Sequence, residues 1–297
     1  MLTNQRLDYA YENARIVEFD SDSKFVIMSD CHRGIGSPSD EFTKNQTSYI
    51  YALEHYLKEG FTYVEAGDGD ELLEHKKLKT IFDAHHKAFE VIQEFYDDGR
   101  YLLLYGNHNI YLKYPKYVDK NYNKYYDEYL EEEFEFFKDI KPEEAVVLRH
   151  KKTGQEILIV HGHQGDFSND QLWGVTAFTI KFFWKFLHTI GAKSPSSPAK
   201  NAHKRHKIEK NFCKWIAKNK KMLICGHTHR YKYPKPKELP YFNTGCCIYP
   251  SSMTAIEIVN DEITIVRWRI IADEKGILKV GRQFLRGTDN VSKFDLR

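Results

Sequence analysis

Two histidines separated by one residue, His227 and His229, close a stretch in which an apolar run gives way to polar side chains. The run at 222–224 predicts a strand that ends in a loop. On such a loop two imidazoles can bind one metal ion, or one each of two neighbouring ions. A single His-x-His pair also occurs by chance on protein surfaces. The interpretation therefore depends on whether other segments share this design.

Four other segments share it, because each is an apolar run that predicts a strand and ends abruptly in Asp, His, Asn or Gly. Together the five segments supply seven candidate metal ligands: Asp30, His32, Asp68, Asn107, His161, His227 and His229. Every donor atom is oxygen or nitrogen, which suits Mn²⁺, Fe²⁺ or Zn²⁺ better than a cysteine-rich structural zinc site. Seven ligands are too many for one tetrahedral ion and suit two ions bridged by a carboxylate.

The sequence resembles the calcineurin-like metallophosphoesterase superfamily in five motifs that stand in the family's order. They are Asp30-Cys31-His32, Gly67-Asp68, Gly106-Asn107-His108, His161-Gly162 and Gly226-His227-Thr228-His229. The resemblance implies two divalent metal ions (Mn, Fe or Zn) that share Asp68 as a bridge. The first ion would take Asp30, His32, Asp68 and His229. The second would take Asp68, Asn107, His161 and His227.

The resemblance also implies a reaction, the hydrolysis of a P–O bond by a hydroxide that bridges the two metals. It makes Asp68 and Asn107 catalytic as well as metal-binding. It places His108 beside the leaving oxygen, where this residue would donate a proton or stabilise the developing charge. A turn residue with no chemical role is the alternative for His108.

Two departures from the family pattern limit these expectations. The motif usually continues from His to Asp or Glu, but here Asn109 follows His108. A neutral amide stabilises an imidazolium less than a carboxylate does, so we expect weaker acid catalysis, a good leaving group, or a carboxylate from elsewhere. The arginine that protein phosphatases carry after the G-D motif is also missing, because Glu71 and Leu72 follow Asp70. A protein phosphatase is therefore disfavoured.

Three more polar residues adjoin the candidate ligands. Arg33 is expected to bind a phosphate oxygen of the substrate, and His163 is a second candidate for substrate binding. His163 and Asp166 are also candidates for orienting the metal ligands. A solvated loop position is the alternative for each of the three.

Apolar runs and helical periodicity predict the elements that position these residues. Strands are predicted at 15–19, 25–28, 61–64, 101–105, 145–148 and 156–160, helices at 40–59 and 71–98, and a helical excursion at 111–140. His85 and His86 are interpreted as residues on a helix surface. The strands after 240 are predicted to be antiparallel. The fold class is thus α/β (α+β), and the resemblance implies one four-layer α/β/β/α sandwich of two mixed sheets over residues 1–297.

Residues 167–221 are predicted to form a helical cap inserted in this domain, with an aromatic helix at 172–190 and a basic helix at 199–221. Residues 171–221 carry eleven Lys and one Arg against one acid, in a chain whose net charge is only +2. The position resembles the cap of UDP-diacylglucosamine pyrophosphohydrolases, which implies a nucleotide-linked substrate. The aromatic helix fits either a cap packed on its own domain or peripheral contact with a membrane. Nucleic acid is a disfavoured partner, because the basic helix has few aromatics for base stacking.

The five cysteines are odd in number and lack C-x-x-C spacing, which indicates free thiols in a reducing compartment. The first twenty residues lack an apolar signal core, and no stretch of about 20 residues is free of charge, so we expect a cytoplasmic protein.

The function predicted from all of this is a dinuclear metal-dependent phosphoesterase. Its expected substrate is a phosphodiester or pyrophosphate of a phosphorylated small molecule or nucleotide-linked compound. The alternatives are a phosphomonoesterase or protein phosphatase, a nuclease that uses the basic helix as a clamp, and a weakly active, metal-loaded scaffold that binds phosphate.

Overall fold

A computed structural model describes residues 3–127, 131–166 and 201–297 of the chain. The strands of its described part are β1 (Arg15–Phe19), β2 (Lys24–Met28), β3 (Thr62–Ala66), β4 (Tyr101–Leu104), β5 (Lys124–Asp127), β6 (Glu132–Glu135), β7 (Ala145–His150), β8 (Glu156–Val160), β9 (Met222–Cys225), β10 (Tyr241–Asn243), β11 (Met253–Val259), β12 (Glu262–Ala272) and β13 (Leu278–Asn290). The helices are α1 (Thr3–Glu12), α2 (Gln46–Lys58), α3 (Leu78–Asp97), α4 (Pro115–Asn121) and α5 (Ala202–Asn219).

Apart from β5 and β6, which pair with each other, these strands form two large mixed sheets. One sheet has the order β1-β7-β8-β9-β10, and the other has the order β13-β12-β11-β2-β3-β4. In the second sheet β2, β3 and β4 are parallel, while β11, β12 and β13 are joined by antiparallel pairing. The antiparallel prediction for the late strands is confirmed for these three. It is wrong for β10, which pairs with β9 in parallel.

The central strands of each sheet are buried on both faces, and this sets the number of layers. In β8, Ile157 and Ile159 point into the core between the two sheets, whereas Leu158 and Val160 pack against α1 and α5. The outer face of the other sheet is covered by α2 and α3. Burial on alternate sides of a strand follows from the two-residue repeat of the pleat. The result is helix, sheet, sheet and helix, so the predicted α/β/β/α sandwich is confirmed.

The basic helix predicted at the end of the cap corresponds to α5. Its residues Ile208, Phe212, Trp215 and Ile216 are buried in the outer helical layer. The aromatic helix predicted at 172–190 lies outside the described residues. None of the described helices is long and apolar enough to cross a membrane. The five cysteines are free, as predicted.

Two helix predictions are wrong in their extent. The helix predicted at 71–98 begins only at Leu78, because the preceding residues form turns whose amides bond to other loops. Among its described residues, the excursion at 111–140 is helical only in α4 and in a 3₁₀ turn that ends at Lys113, and part of the remainder forms the β5–β6 hairpin. His85 is not on the helix surface either. It is fully buried and bonds to the Asp40 carboxylate at 2.7 Å, whereas the neighbouring His86 is exposed as expected.

The loops that follow the parallel strands are joined by backbone hydrogen bonds at one edge of the sandwich. After β2 and β3, the amide of Asp30 donates to Gly67 at 3.1 Å, and the amide of His32 donates to Asp68 at 2.9 Å. After β8 and β9, the amide of Gly226 donates to the carbonyl of His161 at 2.8 Å. Because the carboxyl ends of parallel strands meet at one edge, the polar residues that end these strands converge there.

Candidate metal centre

The first group of converging side chains contains Asp30, His32 and His229, whose ligand atoms lie within 4.8 Å of one another. Oδ1 of Asp30 lies 3.0 Å from Nε2 of His229 and 3.8 Å from Nε2 of His32. The two imidazole Nε2 atoms are 3.3 Å apart. Two imidazole nitrogens and a carboxylate oxygen that face one point are a typical arrangement for binding a divalent cation.

The second group contains Asp68, His161 and His227 and is fully buried. Nε2 of His161 lies 2.9 Å from Oδ2 of Asp68. The same carboxylate oxygen is 3.9 Å from Nε2 of His32 in the first group. Asp68 therefore lies between the two groups, which is the position that a bridging carboxylate requires.

Several of these atoms are buried, and some lie within ion-pair distance of one another, yet they have no partner in hydrogen-bond geometry in the described part of the chain. They include Asp30 Oδ1, Asn107 Oδ1, His161 Nε2 and His227 Nε2. Buried polar atoms are nearly always paired, so a cluster of unpaired acceptors and ring nitrogens is typical of a ligand-binding site. All four are donor types that bind divalent metals. The residues present therefore fit a metal centre.

The orientation of His161 supports the same conclusion. Its Nδ1 lies 3.0 Å from the backbone carbonyl of Ala66, to which it donates its proton. This bond fixes the tautomer and leaves the lone pair of Nε2 directed at the second group. Gly67 makes the approach possible: its φ is +86°, and a Cβ at this position would lie 2.6 Å from the His161 ring.

The backbone of the ligand loops adopts a conformation that ordinary residues avoid. Five of the seven expected ligands have positive φ angles between 46° and 66°: Asp30, His32, Asp68, His227 and His229. Non-glycine residues in this left-handed region cost on the order of 1–3 kcal/mol each and concentrate at functional sites. The loops are thus held in shapes that direct their side chains into the centre.

The charges of the centre are mutually stabilised. Burial alone would raise the pKa of Asp30, but the rings of His229 and His161 outweigh it and hold that pKa well below its usual range. Burial acts on Asp68 in the same way, and His161 and His108 lower the pKa of that carboxyl. For His227 burial dominates and lowers the pKa. The two carboxylates are therefore ionised, and His227 is neutral near neutral pH, which are the metal-binding forms of both groups. Burial alone would lower the pKa of His32 and of His161, but the neighbouring carboxylates outweigh it and raise both, so metal binding at these two rings would release protons.

Glu71 is a candidate site residue that the sequence did not single out. Its carboxylate lies 2.9 Å and 2.7 Å from Nδ1 of His108, and one of its oxygens is 3.1 Å from Nδ1 of His32. Burial opposes the charge on Glu71, but His108 outweighs it and lowers the pKa of Glu71 to about 2. Burial likewise lowers the pKa of His108, and Glu71 and Asp68 more than reverse this, so it is raised overall.

Glu71 is thus the carboxylate from elsewhere that Asn109 made necessary. The signal that could have found it is the spacing, because Glu71 lies three residues after Asp68. Asn109 itself is fully buried and does another task. Its Oδ1 accepts hydrogen bonds from the amides of Gly106 at 2.6 Å and Asp68 at 3.3 Å, and so it holds the two ligand loops together.

Arg33 occupies a different place from the one expected. It is 1% exposed, and all three of its guanidinium nitrogens are paired. Nε donates to Asp70 at 2.7 Å, and the two terminal nitrogens donate to Glu65 at 2.9 Å and 2.7 Å. A guanidinium committed in this way is not available to a phosphate, so the expectation that Arg33 binds substrate does not fit the structure.

His163 is also buried, and its ring packs 5.7 Å from the ring of His161. Burial lowers its pKa well below the usual range, so the imidazole is neutral. This placement suits support of the second group better than contact with substrate. Asp166 lies closer to a ligand, because its Oδ2 is 3.5 Å from Nε2 of His227.

Comparisons with known proteins gave matches to solved structures and to one family model. Vps29 from Chaetomium thermophilum aligns at 9% identity and a TM-score of 0.35, covering 89% of this chain and 96% of its own. A cold-active protein-tyrosine phosphatase from a psychrophilic Shewanella aligns at 12% identity and a TM-score of 0.41, covering 93% and 84%. No curated protein matches the chain. A family model described as calcineurin-like phosphoesterase matches residues 23–231.

Proposed function

Because the chain belongs to the calcineurin-like phosphoesterase family and is a metal-dependent phosphoesterase, we propose that its substrate is a phosphodiester or a pyrophosphate. The proposed metal ligands are the two sets that share Asp68. The first set is Asp30, His32, Asp68 and His229. The second set is Asp68, Asn107, His161 and His227. We propose two ions, and the oxygen and nitrogen donors favour Mn, Fe or Zn.

Two divalent ions bound here lower the pKa of a water molecule and neutralise charge on the phosphoryl oxygens. The chain contributes the rest. Glu71 fixes the imidazole of His32 through Nδ1, and Ala66 does the same for His161, so both rings are held in place before substrate arrives. Preorganised groups of this kind do not have to reorganise during the reaction.

His108 is the proposed general acid. Because its Nδ1 bonds to Glu71, its Nε2 is the nitrogen that remains to donate a proton to the leaving oxygen. The Glu71 carboxylate stabilises the imidazolium and raises the pKa of His108, which keeps the acid protonated at higher pH. Because the leaving oxygen can receive this proton, the proposed mechanism does not require an unusually good leaving group.

The position of Arg33 is the observation that favours a diester or pyrophosphate over a monoester as substrate. A monoester presents a phosphoryl group with two negative charges, and an arginine fork is a preferred partner for such a group. The arginine that the sequence offered for this role is buried against Glu65 and Asp70. A phosphoryl group with a single charge, as in a diester or pyrophosphate, needs less compensation beyond the metals.

The test is hydrolysis of bis-p-nitrophenyl phosphate beside p-nitrophenyl phosphate, with Mn²⁺ and with a chelator. We expect faster cleavage of the diester, and loss of activity with the chelator. The Asp68→Asn variant should be inactive under the same conditions. Preference for the monoester would refute the proposed substrate class.

The proposed substrate-selecting cap is the part of residues 167–221 that precedes α5, because α5 itself packs on the sheet as the outer helical layer. A cytoplasmic location with peripheral membrane contact is proposed for the protein. Five free thiols support the location. The exposed lysines Lys207, Lys210 and Lys214 of α5 support contact with anionic lipid. Co-sedimentation with phosphatidylglycerol vesicles tests the contact, and its absence at low salt would refute it. Salt-sensitive binding to DNA in place of vesicles would favour the nuclease alternative.

A further inference from the structure

The first turn of α5 reaches the metal centre through one side chain, Lys204. Its Nζ lies 2.7 Å from Oδ2 of Asp166. The same oxygen lies 3.5 Å from Nε2 of His227, a proposed metal ligand. A single carboxylate oxygen therefore separates the ammonium group from the ring that faces the second metal.

The two partners of this ion pair differ in their access to solvent. The Asp166 side chain is 3% exposed, whereas the Lys204 side chain is 28% exposed. The backbone of Lys204 is fixed, because its amide donates to the side chain of Asn201, the N-cap of α5, at 3.0 Å. The ammonium group is thus held at the boundary between the buried centre and its surroundings, on a stem with four flexible carbons.

This position differs from that of the cations expected to meet the substrate. Arg33 is buried and fully paired with carboxylates, and His163 is buried and neutral. Lys204 lies beside a ligand residue, and its side chain is 28% exposed. A substrate phosphate can compete with Asp166 for it, because a phosphate offers several strong acceptor oxygens to an ammonium group.

We propose that Lys204 binds an anionic group next to the scissile phosphorus, and that this group is the second phosphate of a pyrophosphate. The inference rests on the proposed function, since it takes the metal centre as the place where the scissile phosphoryl group binds. Asp166 holds Lys204 in position until the substrate arrives. It follows that pyrophosphates are preferred to simple diesters.

The test compares the binding of ADP and AMP to the Mn²⁺-loaded protein by calorimetry, because ADP has the second phosphate and AMP lacks it. In Lys204→Gln, the Kd for ADP should rise about tenfold, as for the loss of one charge-assisted hydrogen bond, and the Kd for AMP should change little. Lys204→Arg should retain most of the preference for ADP. Lys58→Gln is the control, because Lys58 is exposed on α2, outside the cap and the lysines proposed for lipid contact, and this variant should bind both nucleotides as the wild type does.

The Asp166→Asn variant tests whether loss of the ion pair strengthens or weakens the binding of ADP. If Lys204 reaches the substrate, releasing it from Asp166 leaves ADP binding unchanged or tighter, while Lys204→Gln weakens it. If the pair only anchors α5, both variants change the binding of ADP and AMP alike, and the proposal is overturned. Equal Kd values for ADP in the wild type and Lys204→Gln would overturn it as well. Calorimetry needs no turnover, so a protein that binds ADP as described but cleaves no diester would contradict the proposed function and not this inference.

Discussion

Two clusters of buried charges contact the loop that carries Asp68, and they differ in whether their polar atoms are paired. In the Arg33 cluster (Arg33, Glu65, Asp70, Tyr49, Tyr63 and Tyr122), each guanidinium nitrogen has a carboxylate or hydroxyl partner. In the candidate metal centre, buried oxygens and ring nitrogens of four expected ligands have none among the residues that the structure describes. Paired charges of this kind suit a scaffold, whereas unpaired ones suit a binding site, although both clusters consist of buried acids and bases.

The two clusters are also mechanically connected. A Cβ on Gly69 would lie 1.8 Å from Oε1 of Glu65 and 2.6 Å from Nη2 of Arg33, so this ion pair packs directly against the backbone that follows Asp68. Arg33 and Asp70 form a parallel bridge between the loops after β2 and β3. The scaffold cluster thus fixes the loops on which the metal ligands lie. Variants in the metal centre should therefore lower activity, whereas variants in the Arg33 cluster should lower stability.

Asp68→Asn should give the largest effect on activity. Because this carboxylate lies between both ligand groups, its loss should lower kcat/KM by about a thousandfold. Mn²⁺ at 100 times its Kd should stabilise the wild type by about 2.7 kcal/mol, and it should stabilise the variant less. Steady-state kinetics and thermal unfolding with and without Mn²⁺ measure both effects. Wild-type turnover in the variant would remove Asp68 from the mechanism.

Arg33→Leu should give the largest effect on stability. It leaves Glu65 and Asp70 buried without their cation, which costs about 3–5 kcal/mol of unfolding free energy. Urea denaturation measures this loss. Arg286→Leu is the control, because Arg286 is exposed and its change should stay within about 0.5 kcal/mol. An equally small effect at Arg33 would mean that the cluster is not the scaffold described above.

The sequence predicted the two clusters unequally well. The metal ligands follow apolar strands in short motifs, so their convergence follows from strand topology alone. Arg33 follows His32 directly in the sequence, and only the tertiary contacts show that Glu65 of β3 and Asp70 of the following loop enclose it. The start of α3 at Leu78 was missed for a related reason. The preceding residues have helical propensity, but tertiary hydrogen bonds from Glu71 and Leu73 to neighbouring loops override it.

Glu71→Gln should have an intermediate effect that a pH profile can identify. The carboxylate raises the pKa of His108, and the protonated imidazole is the active form of a general acid. Removing the charge should lower that pKa, so the alkaline limb of kcat/KM should move to lower pH. At its optimum the rate should fall by about 10–100-fold.

The matched control for this variant is Glu94→Gln, on the exposed side of α3, which should leave the profile unchanged. A uniform loss of rate in Glu71→Gln, with the alkaline limb in its original place, would assign Glu71 to the support of His32 alone.

Asn109→Asp should have the smallest effect on activity, because the paired atom of this side chain keeps its hydrogen bonds and the unpaired atom has none to lose. The Oδ1 atom of Asn109 already accepts from the amides of Gly106 and Asp68, and a carboxylate oxygen can accept the same two bonds. The Nδ2 atom has no partner among the described residues, so losing its donors breaks no hydrogen bond. Glu71 already supplies the carboxylate for His108. Activity should therefore change by less than about threefold, a small difference in transition-state energy. A large gain in kcat would show that Glu71 does not serve His108 during turnover, and that a carboxylate at 109 restores an acid that the natural chain lacks.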